Sequence, residues 1–104
     1  METKTEVIII LNNGFTCTLT FLKRLQQEIL FIAPAVPQDG LLTTEQLCGV
    51  LYWTALSDWE KTLAGSCMMH LVEHGRVPFN YVPRKGRNPY PLQYRIKASY
   101  MPNQ

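Results

Sequence analysis

Cys67, His70 and His74 stand at i, i+3 and i+7, so a helix through them would align a thiol and two imidazoles along one flank, the ligand types of a zinc site. No fourth ligand accompanies them and the paired spacing of closed zinc sites is absent. The expectation is therefore no metal, with Cys67 buried and the histidines at a helix end, where imidazolium suits the negative pole. Catalysis has as little to work with. The acids are scattered, no glycine-rich phosphate loop occurs, and no Cys/His or Ser/His pair sits in a nucleophile motif. Neither an enzyme nor a cofactor-binding protein is expected.

The basic residues carry a clearer signal. All eight acids lie in residues 1–75, against Lys4, Lys23, Arg24 and Lys61, a local charge of −4. The last 29 residues hold no acid and six bases, Arg76, Arg84, Lys85, Arg87, Arg95 and Lys97, a local charge of +6. Guanidinium and ammonium groups without nearby carboxylates are suited to polyanions, whose counterions they displace. The plainer alternative is a solvated basic surface that aids solubility.

Elements to hold these residues follow from patterning. Val7 to Leu11 is a β-branched run that predicts a strand, and Asn12-Asn13-Gly14 is turn chemistry. Phe15 to Phe21 alternates apolar residues with threonine, as a return strand would, yet Leu22, Leu25, Ile29 and Ile32 recur at helical spacing. The assignment is a helix from about Thr20 to Ala33, ended by Pro34 and Pro37, with the return strand left open. Thr43 to Gln46 and Ser57 to Glu60 are capping boxes that start two further helices. The first should turn Leu47, Val50, Leu51 and Trp53 inward. The second should run to His74 and stop at Gly75, burying Ala64, Cys67, Met68 and Leu71 and leaving Thr62, Ser66, Met69 and Glu73 on the opposite face. Val77, Phe79 and Tyr81, then Leu92, Tyr94 and Ile96, alternate as two strands around the basic, proline-bounded loop 83–91.

A chain of 104 residues leaves room for one domain, 1–97, with 98–104 as a flexible tail. The longest apolar run has five residues against the roughly 20 of a membrane span, so no membrane partner is expected. Glu2 and Glu6 argue against a signal peptide, and Cys17, Cys48 and Cys67 read as reduced core thiols of a cytoplasmic protein.

The order of helix, short strand at Leu41-Leu42, capped helix, capped helix ending in glycine, and basic hairpin resembles the winged helix-turn-helix domains of bacterial and phage transcription regulators. The resemblance covers about 20–97. Its most specific piece is Met68-Met69-His70-Leu71-Val72-Glu73-His74-Gly75-Arg76-Val77, similar to the end of a recognition helix, and Leu92-Gln93-Tyr94-Arg95-Ile96 resembles a returning wing strand. It implies an α+β fold of three helices with a C-terminal β-hairpin wing and an extra N-terminal strand. It also implies a regulator of phage, plasmid or bacterial origin that binds double-stranded DNA, and a homodimer is a further expectation. Carried onto this sequence, Lys61, Thr62, Gly65, Ser66 and Met69 would face the major groove, while Arg84, Lys85, Arg87 and Arg95 would hold the backbone. Asp58, Glu60 and Glu73 on the third helix oppose phosphate, so the wing must dominate affinity. The 13 residues from Leu51 to Ala64 exceed the usual tight turn, which requires a longer connection or an extra helix over Tyr52 to Leu56. The rival reading is a domain that acts by binding a protein partner, such as a host protein it inhibits, with Trp53, Trp59, Tyr90 and Tyr100 as candidate anchors.

Overall fold

The computed structural model describes residues 6–86 and 88–100. The β-branched run forms strand β1 (Ile8–Ile10), which pairs antiparallel with β2 (Thr16–Thr18) across the Asn12-Asn13-Gly14 turn. Strand and helix signals in Thr16 to Leu19 prove compatible because Thr18 serves both. It is the last residue of β2, and its hydroxyl accepts the Phe21 N–H as N-cap of α1 (Leu19–Ile32). Helix α1 buries Leu22, Leu25 and Ile29, one stripe at helical spacing, and passes into a 3-10 turn over Ala33–Ala35 at Pro34.

Both capping boxes form. Thr43 caps α2 (Thr44–Cys48), with Gln46 reaching back to the Thr43 N–H. The expected single helix breaks at Gly49, whose φ of +91° lies outside the range a side chain tolerates well, and α3 (Val50–Thr54) restarts in a new direction. This corrects the inward placement of Val50 and Leu51, which are 66% and 88% exposed; Thr44, Leu47 and Cys48 are the buried residues of α2, and α3 has none. Four α-helices are therefore described rather than three, with α3 supplying the extra helix that the long connection required.

Ser57 caps α4 (Asp58–Glu73), and Asp58 and Glu60 lie where the helix N-terminus favours negative charge. Leu63, Ala64, Cys67, Met68 and Leu71 are buried against α1, the hairpin and the C-terminal strands. At the other end Gly75 has φ +65°, the Gly75 N–H bonds to Val72 O and the Arg76 N–H to Leu71 O, the paired bonds of a glycine-capped terminus.

Strands β3 (Phe79–Val82) and β4 (Gln93–Ile96) pair antiparallel, with Phe79 opposite Ile96 and Tyr81 opposite Tyr94 facing inward, and Asn80 opposite Arg95 facing out. Tyr94 also exchanges both backbone hydrogen bonds with Leu42, so the short strand expected there is a single bridge on the free edge of β4. The result is an α+β fold with four helices and two small antiparallel sheets around one core that includes Leu25, Ile29, Met68, Phe79 and Tyr94. Burial of each such side chain is worth about 1.5–3 kcal/mol. At the start of the expected tail the chain turns, the Tyr100 N–H bonds to Lys97 O, and the Tyr100 ring packs on the core. The remainder of the expected tail lies outside the described residues. Among the described residues no helix is long and apolar enough to cross a membrane.

Candidate nucleic-acid interface

Capping at Ser57 fixes where α4 begins, and its buried stripe fixes its rotation, so Lys61, Thr62, Gly65, Ser66 and Met69 come to lie together on the outer side. They form the floor of a cleft of about 660 Å³. One wall is the N-terminal hairpin turn, through Asn12, Asn13 and Phe15. The other is built from Thr43, Thr44 and Glu45 at the start of α2, Trp53 of α3, and Tyr90, Pro91 and Leu92 at the base of the C-terminal hairpin.

The hairpin turn is bonded to that floor. Asn13 Nδ2 donates to Ser66 Oγ at 2.7 Å, Asn12 Nδ2 donates to the Glu73 carboxylate, and the Phe15 and Trp59 rings lie 5.3 Å apart. Ser66 is half-buried and already engaged. Thr62 is exposed, its hydroxyl donating back to Asp58 O at 3.3 Å, and half-buried Met69 packs on the core. Lys61 Nζ sits 5.9 Å from the centroid of the Trp53 ring, within cation–π range.

The basic group is disposed differently. Arg84, Lys85 and Arg95 are exposed, Arg84 donating to Pro91 O at 3.0 Å and so tying the two arms of the hairpin, while Arg95 stands on the outward face of β4. Arg87 lies outside the described residues. Arg24–Glu28 is the one ion pair found among the described residues, so Arg76, Arg84, Lys85, Arg95 and Lys97 have no carboxylate partner there. With no carboxylate in this segment, its side-chain hydrogen bonds go to neutral acceptors: Arg84 to Pro91 O, and the Tyr90 N–H to Asn88 Oδ1 at 3.1 Å.

Cys67, His70 and His74 do not converge. Cys67 is wholly buried and faces the Cys17 thiol, and burial together with that neighbour pushes its pKa far above the usual thiol range. Cys48 is pushed up to about 11, mainly by burial. All three thiols are free and buried, the state of inert core cysteines. The His70 and His74 rings stack at 4.1 Å, and His74 Nδ1 bonds to His70 O. His70 Nδ1 is buried without a partner, and burial, reinforced by His74, lowers the His70 pKa. Among the described residues no three His, Cys, Asp or Glu side chains are placed to share a metal.

Sequence reasoning does not assign Asn12, Asn13, Phe15, Trp53 or Tyr90 to this surface. Asn12-Asn13-Gly14 carries a turn signal, but its pairing with α4 joins residues 53 and 61 positions apart, which no local pattern encodes. Of the four aromatic anchors, Trp59 and Tyr90 are exposed and Trp53 and Tyr100 are half-buried. No family model, curated protein or solved structure matches this chain.

Proposed function

We infer that the protein is a winged-helix regulator that binds double-stranded DNA, with β3–β4 as the wing and α4 as the helix presented to the groove. The observation that carries this reading is the set of exposed bases on and beside the wing that have no carboxylate partner among the described residues. Such groups exchange condensed counterions for phosphate at little desolvation cost. The element order and the Leu42–Tyr94 bridge support it, because they bring the wing base beside the outer side of α4. Asp58, Glu60 and Glu73 make α4 a poor source of non-specific affinity, so Thr62 and Ser66 contribute selectivity and the wing contributes binding. A homodimer would place two such wings on successive half-sites.

The test is the salt dependence of duplex binding. Replacing Arg84, Lys85 and Arg87 together by alanine should lower the slope of log affinity against log salt by about 0.9 for each phosphate no longer neutralised, so roughly 2–3 units. An unchanged slope in a folded triple variant removes the wing from the interface.

A second reading, a domain that binds and modulates another protein, is favoured by Phe31, Val50 and Leu51, which are 83%, 66% and 88% exposed. A protein partner held by apolar contacts would not reproduce the counterion slope.

A further inference from the structure

Gly65 stands in the interior of α4, where glycine is the least favourable residue after proline. A Cβ built at this position meets no atom within 4 Å, so the packing of the protein does not call for its absence. What the missing side chain does is deepen the cleft at its floor. With about 660 Å³, the cleft falls in the range of roughly 300–1,000 Å³ usual for small-molecule sites.

Its walls offer three rings, Phe15, Trp53 and Tyr90. Three aromatic walls could also cage a cation, but the position over Trp53 is taken by the protein's own Lys61 ammonium, 5.9 Å from the ring centroid. Lys61 has no carboxylate partner among the described residues. Beside Trp53 a cationic ligand is thus repelled, and an anionic one finds a counter-ion there. We propose that the cleft binds a flat aromatic ring bearing a single carboxylate, the ring resting on the open backbone at Gly65 and the carboxylate paired with Lys61. Glu45 lines the same cleft and opposes that charge, so it limits affinity. The inference concerns the free protein and holds or fails independently of DNA binding.

The full chain, without DNA, is titrated with indole-3-carboxylate while its amide resonances are followed, with cyclohexanecarboxylate and uncharged indole as comparisons. Saturable shifts centred on residues 61–69 are expected for indole-3-carboxylate, with cyclohexanecarboxylate at least about tenfold weaker. Lys61→Gln should weaken the carboxylate about tenfold and leave indole unchanged, and Glu45→Gln should tighten the carboxylate. Gly65→Leu fills the floor and should abolish binding; Gly65→Ala, which favours the helix, guards against misfolding and should weaken binding severalfold. No saturable shift by about 10 mM overturns the proposal. So does wild-type affinity in a folded Gly65→Leu variant, or equal affinity for the aromatic and cyclohexyl acids.

Discussion

Asn13 donates a 2.7 Å hydrogen bond to the hydroxyl of Ser66, joining the turn of the N-terminal hairpin to the outer face of α4 across 53 residues of sequence. Ser66 sits where a groove-facing helix would present a short polar side chain, and the bond occupies one of its two acceptor lone pairs while leaving its proton available. Asn13→Ala and Ser66→Ala should each cost little stability, and a double-mutant cycle should give a coupling of about 0.5 kcal/mol, the low end for a hydrogen bond on an exposed rim. In selection from random duplexes, Ser66→Ala should shift the recovered motif while the salt slope stays as in the wild type, since a good base contact is worth about 1–3 kcal/mol of discrimination. Recovery of one identical motif by both proteins places Ser66 outside the reading surface.

Gly75 at φ +65° ends α4 with open space around it, so a substitution there meets backbone strain and nothing else. Gly75→Val should destabilise by about 1–2 kcal/mol, and Gly75→Asn by less, since asparagine tolerates the left-handed region. Denaturant midpoints for the pair separate the strain from any loss of packing; equal midpoints would argue against a left-handed cap.

The His70 ring, lowered in pKa by burial and by charge repulsion from neighbouring His74, resists protonation in the folded protein. Its unfolded counterpart takes up a proton near the ordinary 6.5, so the unfolded chain binds more protons below that value. Stability should therefore be level above pH 6.5 and fall as the pH drops through and below it. His70→Gln should flatten the decline in thermal midpoint between about pH 6.5 and 5. An identical decline in the variant would assign it to carboxylates instead.

Tyr94 is fully buried, and its hydroxyl lies near Thr44 but out of hydrogen-bonding geometry. Burial, the largest influence, holds its proton well above the ordinary tyrosine range. A buried hydroxyl without a bond is a cost, so Tyr94→Phe should leave stability unchanged or raise it by up to about 1 kcal/mol. Calorimetry showing a loss of that size would mean the Thr44 contact closes in solution.

Most of the helical framework was legible because its signals are local. The boxes at Thr43–Gln46 and Ser57–Glu60 and the glycine stop at Gly75 each lie within a few residues, and α1 follows from one apolar stripe. The alternation of Phe79 and Tyr81 with Tyr94 and Ile96 marked the C-terminal hairpin equally well. The break at Gly49 was hidden, since Leu47, Val50 and Leu51 fit a continuous helical stripe and only the backbone angle separates them. For the site, Thr62, Ser66 and Met69 could be read from periodicity as lying on one face of α4, while Lys61 and Gly65 came only with the family resemblance. The walls could not: Asn13, Trp53 and Tyr90 reach that face through tertiary packing.

The bridge between Leu42 and Tyr94 also bears on the order of assembly. Strand β4 supplies Tyr94 and Ile96 to the core and receives hydrogen bonds from both Leu42 and β3, so the hydrophobic interior stays open on one side until residue 96 has left the ribosome. Contacts at such sequence separation are paid for in loop entropy before they return any energy, which places closure of this edge late in folding. A nascent chain stalled shortly before Gln93 would hold its helices as a loose, protease-sensitive assembly, and release of the last strand would convert it to the protected state.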